Sequence, residues 1–343
     1  MQTATPPRVV VADDSAMMRH IVSSSLSRAG VQIVGSAADG DDALAVCERE
    51  RPDALMLDLS MPGLDGIGVL RALRQHGRSE MPVIVVSAFS PTQGVRAVDA
   101  LAEGAFDLVA KPAVGEALED FAAALVEKVM AATSGRGRKL ASPRPTRPTR
   151  ARLRSSVSRA VLIATSTGGP KALAQLMPKL PAPLGTGTLI VQHMPPGFTR
   201  SLAARLDQSS ALDIREAEGG ELLDPRVALL APGGKHLRVS EGGRVNLSDE
   251  PEIGALRPRA DLMISDAAEV FGERTLLVVM TGMGNDGLAG ARDIKRRGGR
   301  ILVEAASSCT VYGMPRAVEE AKLADEVLPL HELAAAITEE AAA

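Results

Sequence analysis

Carboxylate, hydroxyl and ammonium side chains follow successive short apolar runs in the first third of the chain. Asp13 and Asp14 come directly after VVVA, Asp58 after ALML, Ser87 after VIVV and Lys111 after LVA. Continuous Val/Ile/Leu runs predict parallel strands, and the carboxyl ends of such strands meet at one edge of the sheet. Three converging carboxylates repel one another unless a cation neutralises them. The set therefore predicts a Mg²⁺ site formed by Asp13, Asp14 and Asp58.

The same residues can carry phosphoryl chemistry. A carboxylate beside a bound metal can attack a phosphoryl donor and form an aspartyl phosphate, a role that we assign to Asp58. The Ser87 hydroxyl and the Lys111 ammonium can then bind the phosphoryl oxygens. Taken alone, each aspartate is better explained as a helix N-cap or a turn residue. The complete ordered set, with each member at the end of its own strand, favours the phosphoryl site.

A serine, a histidine and an aspartate follow apolar runs in the second half of the chain. Ser166 lies in the turn T-S-T-G-G-P after AVLIA, where the N–H groups of a following helix favour an oxyanion. His193 directly follows TLIVQ, and Asp286 lies in the Gly-rich loop after TLLVVM. These residues predict a nucleophile, a general base and an orienting carboxylate, with a backbone N–H near Met283 binding the oxyanion. The other histidines are expected to be structural or solvated: His20, His76, His236 and His331.

Two other interpretations of this half of the chain remain open. The serine turn also fits an ordinary capped turn between a strand and a helix. Gly282, Gly284 and Gly287 follow a strand, open a helix and precede Glu304 at the next strand end, a spacing that fits a dinucleotide-binding loop. Against this, Asp286 would place a carboxylate where the pyrophosphate should lie, and the loop does not follow the first strand of its domain. The pattern favours the hydrolase.

The elements that must position these residues alternate strand-length apolar runs with helix-period segments. Five such repeats in the first 130 residues predict a doubly wound, parallel α/β domain. The alternation resumes at Arg159 and predicts a second doubly wound, mostly parallel α/β domain. Residues 131–158 are rich in Pro, Ser, Thr, Gly and Arg, contain no acidic residue, and predict an extended basic linker. The predicted domains are therefore 7–128 and 159–343.

Composition limits the classes of partner. A formal net charge of −3 gives no general attraction to nucleic acid or anionic membrane, and 2% aromatic residues leave few stacking platforms for single strands. The basic linker is the one candidate nucleic-acid arm, but we expect no nucleic-acid partner. The sequence contains no signal-peptide pattern and no run of about 20 apolar residues. Cys47 and Cys309 indicate no disulfide framework, so we expect a cytoplasmic protein that is not inserted in a membrane.

Residues 7–128 resemble bacterial response-regulator receiver domains through the motifs DDS, D-LSMPGLDG, SA and KP. The resemblance implies a flavodoxin-like fold, a bound Mg²⁺ and phosphorylation by a histidine kinase. It implies the phospho-acceptor Asp58, the metal ligands Asp13, Asp14 and Asp58, and the switch residues Ser87 and Lys111. Many receivers carry Tyr or Phe three residues before the lysine, where this chain has Leu108. That departure concerns how the signal leaves the domain.

Residues 160 to about 330 strongly resemble the chemotaxis protein-glutamate methylesterases through IATSTGGPKAL, VQHMPPGFTRSLAARL, APGGKHL, LLVVMTGMGNDGLAG and VYGMPRA. The resemblance implies hydrolysis of glutamate methyl esters on methyl-accepting chemoreceptors, often with deamidation of receptor glutamines, and control by the chemotaxis histidine kinase. It implies Ser166 as nucleophile, His193 as base and Asp286 as orienting carboxylate, with Thr167 and the Met283 backbone near the oxyanion. The hydrolase domain needs no cofactor in this interpretation.

Three departures from the family pattern concern substrate recognition. Residues 164–165 are Ala-Thr where the family usually has Gly-Ala, residues 256–261 differ from the usual Pro-Ser-Val-Asp stretch, and residues 305–306 are Ala-Ala in place of Asp-Glu. A signalling adaptor of a related sensory pathway, which uses the hydrolase fold only for binding, is the alternative from another class. In the main interpretation, the receiver packs over the hydrolase cleft until Asp58 is phosphorylated.

Overall fold

The structure is a computed structural model, and it divides into two compact units, Met1–Arg138 and Lys139–Ala343. It describes residues 5–77, 80–88, 90–112, 118–134 and 158–342. Each unit contains its own parallel sheet with flanking helices, which confirms the predicted fold class. Within the described ranges, no helix combines the length and the apolar character needed to cross a bilayer.

Among its described residues, the first unit alternates five strands with five helices. Its strands are β1 (Arg8–Ala12), β2 (Gln32–Ala37), β3 (Ala54–Asp58), β4 (Val83–Ser87) and β5 (Asp107–Ala110). Its helices are α1 (Ala16–Arg28), α2 (Gly40–Glu50), α3 (Gly66–Gln75), α4 (Pro91–Ala102) and α5 (Leu118–Ser134). The strand order β2-β1-β3-β4-β5 reverses direction between β1 and β3. Ligands of open parallel sheets bind at the carboxyl ends beside such a reversal.

The end of α5 corrects one predicted boundary. The composition predicts that residues 131–134 belong to the linker, but α5 continues to Ser134. Ala132 packs into the apolar core beside Val129, and alanine is the strongest helix former, so burial and propensity both extend the helix. Most of the remaining predicted linker, residues 135–157, lies outside the described residues.

The second unit contains nine strands and six helices among its described residues. Its strands are β6 (Ala160–Thr165), β7 (Gly187–Gln192), β8 (Asp213–Glu216), β9 (Val227–Leu230), β10 (His236–Ser240), β11 (Arg244–Ser248), β12 (Thr275–Val279), β13 (Arg300–Glu304) and β14 (Glu326–Leu328). Its helices are α6 (Gly169–Leu176), α7 (Phe198–Asp207), α8 (Ala260–Phe271), α9 (Leu288–Arg296), α10 (Met314–Glu320) and α11 (Leu330–Ala341).

The sheet of the second unit has the order β14-β13-β12-β6-β7-β9-β8. The first strand of this unit, β6, lies in the middle of the sheet. It pairs on one side with β7, and the chain later returns to place β12 on its other side. The carboxyl ends of β6, β7 and β12 therefore lie next to one another at the reversal. The antiparallel pair β10–β11 and the short β8 were not predicted, because their partly exposed residues form no continuous apolar run.

Helices α8 and α9 pack closely against each other on one face of this sheet. Gly290 of α9 makes the approach possible: a Cβ atom at this position would lie 2.5 Å from the Cβ and Cγ2 atoms of Ile264 in α8. Both Gly290 and Ile264 are buried, so neither backbone can move aside without opening the core.

We predict that Gly290→Val destabilises the second unit by about 1–3 kcal/mol, because the added methyl groups overpack a contact that is already closed. Urea unfolding of the second unit measures the change. Ala289→Val is the matched control, since it introduces the same side chain at the preceding, exposed position of α9. Equal unfolding free energies for the two variants would contradict the proposed packing constraint.

Candidate active site

Ser166 lies in the tight turn between β6 and α6. The turn is closed by the Gly169 N–H, which donates to the Ser166 carbonyl at 2.7 Å, and Gly168 adopts a φ of +80°. A Cβ at Gly169 would lie 2.0 Å from Gln192 Oε1, so the turn requires glycine there. The turn holds the Ser166 side chain at the amino end of α6, where backbone N–H groups favour negative charge.

His193 and Ser166 follow neighbouring strands at matching positions. Thr165 is the register partner of Gln192, and the His193 N–H donates to the Thr165 carbonyl at 3.1 Å. Since paired strands lie about 4.8 Å apart, Ser166 and His193 emerge side by side. The buried Gln192 amide joins the two, because its Nε2 donates to the Ser166 carbonyl at 3.0 Å and to the His193 carbonyl at 2.9 Å. Sequence analysis missed Gln192, whose only signal is a polar residue at the end of an apolar strand.

The Asp286 carboxylate is buried and accepts hydrogen bonds on both oxygens. Oδ2 is 2.7 Å from His193 Nε2 and accepts the Ala260 N–H at 2.6 Å. Oδ1 accepts the Asp261 and Gly287 N–H groups at 2.9 Å each. The backbone donors include the first two residues of α8, so the carboxylate also receives the favourable field of that helix end.

These contacts set the protonation of the His193–Asp286 pair. Burial acts to raise the pKa of Asp286, but the hydrogen bond and charge of His193 and the α8 N–H groups lower this pKa to about 2. Because Nε2 faces a carboxylate that only accepts, it carries the proton, and Nδ1 is left to act as a base. In the described part of the chain no hydrogen bond joins the Ser166 hydroxyl to His193. Such bonds are often long before substrate binds.

Thr281, which follows β12, holds the nucleophile turn from the other side. Its carbonyl accepts the Ser166 N–H and the Thr165 hydroxyl, each at 3.0 Å, and its hydroxyl donates to the Thr167 carbonyl at 2.9 Å. Its own N–H donates to the buried Glu304 carboxylate at 2.8 Å. The Thr165 side chain that departs from the family pattern is therefore bonded inside the turn and does not line a groove.

The family resemblance implies that Thr167 and the Met283 backbone lie near the oxyanion. The Ser166 N–H itself is used by the Thr281 carbonyl. The Met283 N–H has no hydrogen-bond partner among the described residues, and its loop is held by the Gly282 N–H, which donates to the Val311 carbonyl at 3.0 Å. Thr167 is buried beside the nucleophile. The arrangement leaves Met283 as a backbone donor close to the serine turn.

The loop at Gly282, Gly284 and Gly287 does not fit the dinucleotide alternative. The Gly282 and Gly287 N–H groups are bonded to protein acceptors, and the Glu304 carboxylate accepts the Thr281 N–H instead of facing a cleft. A buried Asp286 carboxylate lies at the start of α9, where a pyrophosphate would need the N–H groups to be available.

The remaining histidines are distant from this chemistry or satisfied within the fold. His236 is fully buried, its Nδ1 accepts the Arg259 N–H at 3.2 Å, and its Nε2 lies 3.2 Å from the Pro251 carbonyl. His20, His76 and His331 are exposed. These positions agree with the structural or solvated roles expected of them.

In the first unit, the predicted aspartates meet at the sheet reversal. Asp13, Asp14 and Asp58 each offer a carboxylate oxygen, and these oxygens lie within 4.8 Å of one another. Lys111 Nζ lies 2.8 Å from Asp13 Oδ2 and 3.2 Å from Asp58 Oδ2. Ser87 is buried at the end of β4, and its carbonyl accepts the Lys111 N–H at 2.8 Å. All five predicted residues therefore share one edge.

The charges at this edge are not balanced. Burial raises the pKa of Asp58, Asp13 adds to the increase, and Lys111 opposes it. The pKa of Lys111 is also raised, since its bonds to the two carboxylates outweigh burial. Asp13 Oδ2 is buried, and its partner within the described ranges is the Lys111 ammonium at 2.8 Å. Three carboxylates facing one ammonium fit a small divalent cation.

The loop after Asp58 is tied to α4. Arg96 Nη2 donates to Asp65 Oδ2 at 2.6 Å and to the Leu59 carbonyl at 2.9 Å. Gln93 Nε2 donates to Ser60 Oγ at 2.6 Å. These contacts connect the strand end at Asp58 with a helix through side chains, without using the buried Leu108.

Comparison with known proteins identifies the family of each unit. The model of the CheB methylesterase family matches residues 161–337, and that of the response regulator receiver domain matches residues 9–123. A protein-glutamate methylesterase/protein-glutamine glutaminase of Symbiobacterium thermophilum is 44% identical over 97% of this chain and 96% of its own length. A relative of the same name, numbered 5, from Myxococcus xanthus is 42% identical over 96% of this chain and 97% of its own.

The chain belongs to the CheB methylesterase family. The crystal structure of the Thermotoga maritima CheB methylesterase catalytic domain is 41% identical, with a TM-score of 0.52, and the match covers 53% of this chain and 98% of that domain. The chain is thus a hydrolase of a two-component system, with a receiver domain before the catalytic domain, and the comparisons favour this over the adaptor.

We predict that Asp286 stabilises the fold in a pH-dependent way. Its pKa is lower in the folded protein than its ordinary value, so the ionised carboxylate contributes fully above about pH 4. This contribution, about 2 kcal/mol, is lost as the pH falls toward about 2. The difference in unfolding free energy between the parent and Asp286→Asn should shrink across this window in urea titrations.

Exposed Asp213 supplies the control for that series. Asp213→Asn should leave the unfolding free energy nearly unchanged throughout the same pH range. A parent–Asp286→Asn difference that stays constant from pH 5 to pH 2.5 would contradict the assignment of the lowered pKa.

Proposed function

We propose that Ser166, His193 and Asp286 hydrolyse glutamate methyl esters on chemoreceptors, giving adaptation in chemotaxis. The observation that carries the proposal is the 2.7 Å contact between His193 Nε2 and the buried Asp286, which leaves Nδ1 to act as the base, while His193 follows the strand that pairs with the strand before Ser166. A base fixed in one tautomer beside a serine in a helix-end turn is the arrangement that acyl transfer requires.

The reaction follows from these positions. Nδ1 of His193 removes the Ser166 proton while Oγ attacks the ester carbonyl carbon, and the imidazolium then donates that proton to the departing methanol. Water attacks the acyl-enzyme, His193 accepts a proton from it, and the proton returns to Ser166 as glutamate is released. Asp286 stays ionised throughout and stabilises the imidazolium. The Met283 backbone N–H binds the oxyanion of each tetrahedral intermediate, with Thr167 near it.

The same residues can act on a glutamine side chain. The acyl-enzyme is identical, and only the leaving group differs, since His193 donates its proton to the departing amide nitrogen, which leaves as ammonia in place of methanol. Deamidation of receptor glutamines is supported by the relatives named protein-glutamine glutaminase. Chemoreceptor side chains as substrates, and control by a histidine kinase, are consistent with a cytoplasmic location of this protein.

We propose that the first unit receives a phosphoryl group on Asp58 from the chemotaxis histidine kinase, and that this raises the rate of hydrolysis. Asp13, Asp14 and Asp58 would hold Mg²⁺, which would neutralise the carboxylates and the incoming phosphoryl charge. The Lys111 ammonium and the Ser87 hydroxyl would bind the phosphoryl oxygens.

The domain boundaries that accompany this proposal are 7–128 for the receiver and 159–343 for the hydrolase. The division into two compact units and the extents of the two family matches support them. Residues 129 and 130 and the end of α5 would then continue the last receiver helix toward the linker.

We predict that Ser166→Ala lowers methanol release from methylated receptor by at least about 10³-fold, because the acyl-enzyme cannot form. Gas chromatography of released methanol measures the rate, and circular dichroism checks the fold. The exposed Ser240 provides a matched control, and Ser240→Ala should keep the parent rate. Turnover retained by Ser166→Ala would overturn the nucleophile assignment.

We predict that a small-molecule phosphodonor with Mg²⁺ phosphorylates the parent and raises methanol release, whereas Asp58→Asn shows neither effect. Intact-protein mass spectrometry measures phosphorylation. Asp41→Asn, at an exposed position of the same unit, should behave as the parent. Chelation of Mg²⁺ by EDTA should abolish the modification. Normal phosphorylation of Asp58→Asn, or of the parent in EDTA, would contradict the proposed acceptor or the metal site.

A further inference from the structure

Helices α8 and α9 exchange capping carboxylates at their amino ends: a residue before α9 caps α8, and a residue of α8 caps α9. Asp286, in the loop directly before α9, accepts the N–H groups of Ala260 and Asp261 at the start of α8. Asp261 in turn directs Oδ1 to the N–H of Gly290 in the first turn of α9, at 2.9 Å. The exchange makes the position of Asp286 depend on α8, and that of α8 depend on Asp286.

Neither helix has a side-chain cap of its own. The residue before α8 is Arg259, whose side chain makes no capping bond, and the residue before α9 is Gly287, which has no side chain. Orphan N–H groups at a helix end need acceptors, so the two carboxylates are the available ones. Loss of either would leave buried donors unsatisfied.

Arg259 joins the two carboxylates. Its Nη2 donates to Asp261 Oδ2 at 2.9 Å, and its Nε lies 3.4 Å from Asp286 Oδ1. Two further hydrogen bonds fix Arg259. Its Nη1 donates to the Ile253 carbonyl at 3.0 Å, which orients the guanidinium, and its backbone N–H donates to the buried His236 ring, which fixes the main chain. The Arg259 side chain is 18% exposed, so its charge is only partly screened by water.

We propose that Arg259 and Asp261 are positioning residues of the catalytic site, which hold the Asp286 carboxylate in the orientation that presents Oδ2 to His193. The inference rests on the proposed function, in which Asp286 orients the base. Arg259 and Asp261 touch neither Ser166 nor the His193 ring in the described structure; they act through Asp286. The sequence marks residues 256–261 only as a departure that concerns substrate recognition, and it does not predict these contacts, since Asp261 and Asp286 are about 25 positions apart.

The competing explanation is that this ion pair only stabilises α8. The chain contains a matched example: Arg238 pairs with Asp266 of the same helix at 2.7 and 3.0 Å, and that pair has no bond to Asp286. Removing Arg238 therefore tests the structural effect alone. Removing Arg259 tests the structural effect together with the effect on the site.

The charges on the two residues give a test with opposite signs. Among the described residues, the charged groups bonded to Asp286 besides His193 are Arg259, through its side chain, and Asp261, through its backbone N–H; from the neighbouring strand β6, the group that follows is the neutral Ser166. Arg259→Met removes a positive charge, so the imidazolium is favoured and the pKa of His193 should rise. Asp261→Asn removes a negative charge but keeps an acceptor for the Gly290 N–H, so the pKa of His193 should fall. Each shift should be on the order of half a pKa unit to one unit.

The measurement is the pH titration of the His193 ring by NMR in the full chain, with the resonance assigned by its absence in His193→Gln. Arg238→Met should leave the titration unchanged. Disorder of α8 would instead release His193 from Asp286 and lower its pKa in both variants. Equal directions of shift for Arg259→Met and Asp261→Asn, or a shift in Arg238→Met, would overturn the proposal.

Kinetics provide the second readout. For methanol release, Arg259→Met and Asp261→Asn should lower kcat by about 10-fold with KM little changed, because the base and not the substrate site is disturbed. Arg259→Lys should restore part of kcat, since it keeps the charge without the planar fork. A change confined to KM would overturn the positioning role.

The two assays separate this inference from the proposed function. If Ser166→Ala retains turnover while the His193 titration shifts in opposite directions, the hydrolase assignment fails and the positioning of Asp286 stands. If Ser166→Ala is inactive while the titrations of Arg259→Met and Asp261→Asn match that of the parent, the hydrolase assignment stands and the positioning role is overturned.

Discussion

The buried charge of Asp286 is the constraint on which the hydrolase unit depends. An isolated carboxylate in a protein interior costs several kcal/mol unless hydrogen bonds and an opposite charge compensate for it. Here the compensation comes from three places: the end of β7 through His193, the start of α8 through Ala260, and the start of α9 through Gly287. Because all three must converge for the charge to be tolerated, the fold and the orientation of the base are fixed by the same contacts.

The nucleophile is held by a separate set of neutral hydrogen bonds. The Thr281 carbonyl and the Gln192 amide bond the backbone of Ser166 from the two neighbouring strands, and Glu304 holds Thr281 in turn. The serine turn is thus bonded to both sides of the sheet reversal, while its hydroxyl is left for chemistry. Neutral bonds suit this position, since a fixed charge beside Ser166 would compete with the oxyanion for the same backbone donors.

The sequence was sufficient to predict the two parallel sheets and the residues at their strand ends. Asp58 directly follows a continuous apolar run, and Ser166 and His193 each lie one polar residue beyond such a run, so the end of the run indicates where the strand stops. Gln192 and Thr281 could not be predicted as contacts, because their partners are backbone carbonyls and N–H groups, which every residue possesses. The contacts of Arg259 could not be predicted for a related reason: it joins Asp261 and Asp286, which are brought together only by the packing of α8 on α9. The hairpin β10–β11 was missed because half of its residues face outward.

The two units place their chemistry at the same kind of sheet reversal but leave different residual charges there. In the receiver, Asp13, Asp14 and Asp58 face a single Lys111, and burial, together with the charge of Asp13, raises the pKa of Asp58. Such an edge is completed by a divalent cation. In the hydrolase, two carboxylates face Arg259 and a neutral His193, so the surplus is one negative charge. A single proton on His193 removes it, and that proton is the one that leaves Ser166 during acyl transfer. The surplus negative charge at each edge therefore fits the positive charge that is added there: a divalent cation at the receiver edge and a proton on His193 at the hydrolase edge.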